Sequence, residues 1–96
     1  MKIIYLKSSI DDIEWMKFYY SNIFLAGKKE AIKHLKRAEL MIINFPEIGR
    51  LYDEKLWVRE LVISKTSFSF LYRINGDNIE ILRLWDQRWS KKYFSE

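Results

Sequence analysis

Apolar positions along this chain change their period twice, and each change marks a new kind of element. Residues 2–6, Lys-Ile-Ile-Tyr-Leu, form a short apolar run that suits a first strand. Apolar residues then recur at spacings of three and four. Ile13, Met16, Tyr20 and Ile23 share one face and predict a helix over 10–24. Ser8 or Ser9 suits its cap, and Asp11 and Asp12 favour the positive end of its dipole. Trp15, Phe18 and Tyr19 carry apolar surface around the helix, beyond what one buried face needs. Gly27 breaks the pattern. A second helix is predicted over 28–44, where Ala31, Leu35, Ala38, Ile42 and Phe45 form the apolar face. Lys29, Lys33, Lys36 and Arg37 form a basic stripe away from it, and Pro46 disfavours helix at Phe45. Residues 46–50 read as a turn leading towards a sheet.

The second half holds three apolar runs, 56–63, 68–74 and 79–85. Ser64-Lys65-Thr66-Ser67 separates the first two, and Asn75-Gly76-Asp77 the last two. An Asn-Gly step between β-rich runs is a strong hairpin signal, because turn residues there must tolerate positive φ. The predicted order is β-α-α-β-β-β. It implies an α+β fold of two layers, a helical hairpin packed on a small, mostly antiparallel sheet. The first strand is expected to join that sheet after the helical crossover. A two-residue Asn75-Gly76 loop would put Arg73 and Arg83 on opposite faces, and a three-residue loop with a bulge would put them together.

Composition fits this picture. Ninety-six residues make one domain, 1–96, and a composition 49% hydrophobic and 17% aromatic supplies enough apolar area for a core. The absence of cysteine excludes disulfides, thiolate metal sites and a Cys nucleophile. No apolar run approaches a membrane span, so a cytoplasmic protein without membrane contact is expected. The net charge of +4 fits nucleic acid or an acidic protein partner, or neither.

Few residues invite a catalytic reading. His34 is the single histidine, beside Lys33 and Lys36, and reads as a surface residue of a polar helix face. Without a second His or a Cys it makes no metal site, and no cofactor is expected. Asp11 and Asp12 read as helix N-terminal charges, since adjacent positions on a helix do not face each other. Arg59, Arg73, Arg83 and Arg88 are harder to dismiss, because they interrupt or follow strands that otherwise build a core. One reading pairs them with Glu60 or Glu80 inside the sheet, and the other makes them a basic face for an anionic partner. The stretch 85–94 mixes aromatic and basic residues, Trp89 and Tyr93 among them. It suits either stacking and phosphate contact or packing back on the core.

Four segments in order carry a family resemblance: Phe45-Pro46-Glu47-Ile48-Gly49-Arg50, Val58-Arg59-Glu60-Leu61, Phe68-Ser69-Phe70-Leu71-Tyr72-Arg73-Ile74 and Ile79-Glu80-Ile81-Leu82-Arg83-Leu84. Asp86-Gln87-Arg88 stands where an H-x-R is usual. The chain resembles a toxin of the RelE/ParE superfamily of bacterial type II toxin–antitoxin systems, and its ParE-like branch more closely. That branch poisons DNA gyrase, trapping the cleaved DNA complex, and is linked to plasmid stabilisation. The RelE-like branch cuts mRNA on the ribosome with Lys, Arg and Tyr side chains. Here its two strand lysines fall near Glu60 and Val62. Only Arg88 matches, with Tyr93 one place from the terminal tyrosine, so these two are the catalytic candidates if the protein is an RNase. The resemblance thus implies a non-enzymatic gyrase poison, with an mRNA endoribonuclease or a non-toxic binding module as alternatives. Arg59, Arg73, Arg83, Arg88 and Trp89 are the expected target contacts. A cognate antitoxin is implied as partner in a hetero-oligomer, and Trp15, Phe18 and Tyr19 are its expected contacts.

Overall fold

The computed structural model describes residues 1–88. Its sheet has five strands: β1 (Lys2–Tyr5), β2 (Arg50–Asp53), β3 (Val58–Val62), β4 (Phe68–Asn75) and β5 (Asn78–Asp86). They lie in the order β1-β5-β4-β3-β2. β1 runs parallel to β5, and the other pairs are antiparallel. Two helices, α1 (Ile10–Phe18) and α2 (Lys28–Asn44), pack on one face. This is the α+β arrangement expected, with one strand more than the apolar pattern predicts. β2 begins at Arg50, the end of the segment read as a turn, and its four residues are too short a run to show a period.

Alternation along β4 divides the molecule. Phe68, Phe70 and Tyr72 point to the helices and are fully buried with Ile63, Ile79, Ile81 and Ile42, and Met16 and Tyr20 are buried beside them. Leu71 points the other way, where Val58 and Trp85 form a second, smaller cluster. Tyr52 covers it edge-on, its ring centroid 5.7 Å from that of Trp85.

Several details depart from the sequence pattern. Helix one does not stay α-helical to residue 24. Its last turn, Tyr19–Ile23, is a π turn closed by Phe24 N–H on the Tyr19 carbonyl at 2.8 Å. The wider turn breaks the spacing of three and four, so Ile23 faces out at 57% exposure. Phe45 likewise lies outside its helix, as the C-cap, and is exposed where the period put it inside. His34 is buried, not on the surface, because it stands three residues after Ala31 and four before Ala38 on the inward face. Its Nε2 lies 3.5 Å from a Glu30 carboxylate oxygen. The β4–β5 loop is Gly76-Asp77, one residue later than the Asn75-Gly76 loop, with Asn75 paired to Asn78. Gly76 has φ +61, the first central residue of a II′-like turn. A bulge further along shifts the register, so that Leu71 pairs with Arg83 and Tyr72 with Ile81. That shift puts Arg83 on the side of the sheet carrying Leu71 and Arg73.

Candidate interaction surfaces

The arginines are held by local partners. Arg73 Nε donates to Glu80 at 2.7 Å, directly across the β4–β5 ladder. Arg83 makes a two-pronged contact with Asp12 of α1, at 2.6 and 2.9 Å. Asp12 also accepts the Leu84 backbone N–H at 3.0 Å, so this carboxylate ties the helix start to β5 rather than only balancing its dipole. The contact raises the Arg83 pKa above its ordinary value. Arg59 does not pair with Glu60. It donates to the backbone carbonyls of Glu47 and Gly49, at 3.2 and 2.9 Å. Glu60, a buried carboxylate on the helix-free face, meets Arg50 and the Trp85 indole N–H instead. Ion pairing with Glu80 accounts for Arg73, as one sequence reading had it, whereas Arg83 pairs with Asp12 of α1 and not with a carboxylate of the sheet.

Gly49 explains the Pro46–Arg50 segment. Its backbone N–H donates to Tyr72 Oη at 2.9 Å, and that hydroxyl donates to the Pro46 carbonyl at 2.8 Å. With Arg59 on the Glu47 and Gly49 carbonyls, the turn after α2 is clamped from β3 and β4. A Cβ on residue 49 would stand 2.8 Å from Tyr72 Oη and 2.9 Å from the Glu60 carbonyl.

Arg88, read from sequence apart from Tyr19 and Trp15, meets them around one buried carboxylate. Asp86 accepts Arg88 Nε at 2.9 Å, the Arg88 backbone N–H at 3.0 Å and the Trp15 indole N–H at 3.2 Å. Burial opposes the charge on Asp86, but the Arg88, Trp15 and Ser67 hydrogen bonds outweigh it and lower its pKa. Arg88 also donates to Tyr19 Oη at 2.7 Å and lies 4.1 Å from that ring's centroid, which adds a cation–π contact. Sequence reasoning missed Asp86 and Asp12 as anchors. The spacing of Asp86 to Arg88 was the one available signal, and the link from Asp12 to Arg83 spans 71 residues.

Phe18 remains 51% exposed and stacks on Trp15, with ring centroids 5.9 Å apart. Trp15 and Tyr19 are partly buried against the main core. An apolar groove of about 520 Å³ opens between the two helices, lined by a different side of α1. Tyr5, Ile13, Met16, Tyr20, Leu35 and Leu84 line it, with Lys17 and Lys28. Trp89 and Tyr93 lie outside the described residues. Among the described residues no helix is long and apolar enough to cross a membrane.

Residues 3–89 match the family model of the ParE toxin of type II toxin–antitoxin systems, parDE. No curated protein matches the chain. A solved structure from the chromosomal ParDE toxin–antitoxin system of P. aeruginosa superposes with a TM-score of 0.65 at 21% identity, over 88% of this chain and 92% of that one. At that identity the likeness speaks for the fold. Arrangement and family match agree, and the chain belongs to the ParE toxin family of type II toxin–antitoxin systems.

Proposed function

We propose that this toxin poisons DNA gyrase by stabilising the cleaved enzyme–DNA intermediate, and that a cognate antitoxin neutralises it. The observation that carries the choice of target is Glu60. It stands near a position where the RNA-cleaving branch uses a strand lysine, and here it is a buried carboxylate held by Arg50 and Trp85. A buried, paired carboxylate there offers no cation to a phosphorane-like transition state. A gyrase poison needs a binding surface and no such group. Arg73, Arg83 and Arg88, each partly exposed on its side chain, remain proposed target contacts, with Arg59 and Trp89.

The antitoxin is assigned to the helical face. An apolar groove flanked by Lys17 and Lys28 fits a short amphipathic segment with acidic flanks. Phe18, exposed and stacked on Trp15, is a second proposed contact elsewhere on α1.

Purified toxin incubated with gyrase, ATP and supercoiled plasmid should yield linear DNA after the enzyme is denatured, in a gyrase-dependent manner. Unimpaired supercoiling without linear product would rule out gyrase as target. Cleavage of ribosome-bound mRNA would then favour the RNase alternative.

A further inference from the structure

The tip of the β2–β3 hairpin carries a conflict between residue and site. Trp57 has φ +54, a left-handed conformation that bulky L-residues seldom adopt. Its side chain is also 69% exposed, and that of the adjacent Leu56 is 61% exposed. The turn that presents them is fixed, since Asp53 Oδ1 accepts the backbone N–H groups of Lys55 and Leu56 at 2.9 and 3.2 Å. Asn or Gly at position 57 would suit the backbone better and remove exposed apolar area. Neither the backbone nor the core accounts for a tryptophan here. Lys65 shares the positive φ, but its side chain is one that water solvates well.

We infer that Trp57 and Leu56 form a preformed knob that inserts into an apolar cleft on the toxin's protein target. This rests on the gyrase reading and adds a contact to it. The chemistry separates the knob from the other surfaces. Asp53 and Glu54 outnumber Lys55 at the tip, which disfavours phosphate backbones. The hairpin lies at the β2 edge, whereas the groove assigned to the antitoxin is lined by Tyr5 of β1 and Leu84 of β5, at the other side of the sheet. A convex, ordered knob requires a concave site already present in a folded partner. A short amphipathic segment of the kind proposed for the groove has no such cleft to offer.

The test uses full-length toxin with Trp57→Asn and, separately, Leu56→Ala. Asn tolerates the left-handed conformation, so Trp57→Asn should unfold at the same or a higher temperature. Its affinity for antitoxin should be unchanged. The toxin concentration giving half-maximal linear DNA with gyrase should rise by about thirtyfold or more, the loss typical of an anchoring tryptophan. Leu56→Ala should shift it in the same direction by less. Undiminished poisoning by Trp57→Asn overturns the inference, as does weakened antitoxin binding with poisoning intact. A lowered unfolding temperature also overturns it, since the side chain would then be holding the hairpin. Failure of the wild type to linearise DNA would sink the gyrase reading instead. The knob would then be judged by growth arrest on expression: arrest lost in Trp57→Asn supports a different protein target, and arrest retained overturns the knob.

Discussion

Single residues set the geometry of the turn after α2, and Gly49 is the most constrained of them. The obstacle to a side chain there is steric, from the Tyr72 hydroxyl and the Glu60 carbonyl. Neither can withdraw without losing a hydrogen bond or distorting a strand. Gly49→Ala should therefore destabilise the fold by about 1–3 kcal/mol, measured by chemical denaturation. A value near zero would mean that the turn relaxes freely. Tyr72 shows why this was hidden in the sequence. Its apolar neighbours and its place in β4 announce a core residue, and it is fully buried. Its hydroxyl, however, serves a turn 23 residues away, which no local pattern reveals. Glu60 is similar: the alternation of β3 does not say that its carboxylate meets Arg50 rather than Arg59.

At the scale of elements, α2 was legible because it holds one period for its whole length, and β3, β4 and β5 because each is an apolar run bounded by turn residues. Helix two matches its predicted bounds, Lys28 to Asn44. Helix one was legible only in its first two turns, because its π turn responds to packing and not to composition. Thus Met16 and Tyr20 are buried as expected and Ile23 is not. Its aromatic surplus divides in the same way. Trp15 and Tyr19 contribute to the fold through Asp86 and Arg88, so removing either confounds binding with stability. Phe18 is the cleaner probe of the proposed antitoxin contact. Phe18→Ala should weaken the toxin–antitoxin complex by about tenfold while leaving the unfolding temperature nearly unchanged. Equal affinity for variant and wild type in a calorimetric titration would remove this face of α1 from the interface.

Across the whole molecule, carboxylates tie distant parts together, and this makes the fold sensitive to acid. Asp86 is held below its ordinary pKa of 3.8 despite its burial, by the Arg88, Trp15 and Ser67 hydrogen bonds. The Arg73 hydrogen bond, with one from Asn75, lowers Glu80 from 4.5. For a carboxylate depressed in the folded state, the stabilisation is complete above the unfolded pKa and is lost as pH falls through the folded one. Unfolding temperature should hold steady near neutrality and decline below about pH 4. In Asp86→Asn it should start lower and decline less steeply over that acid range, and an unchanged slope would assign the acid sensitivity elsewhere. The fold class was legible at this scale, whereas the partner of β1 was not, because a parallel contact between β1 and β5 leaves no local signature. That contact also bears on timing. β1 is made well before β5, its one neighbour among the described residues, paired from Lys2 with Asn78 to Tyr5 with Ile81. Synthesis proceeds at about 5–20 residues per second, so for several seconds the first strand has no place to dock. The sheet therefore closes only once residue 86 has been added, and until then α1 and α2 have no complete surface to pack on.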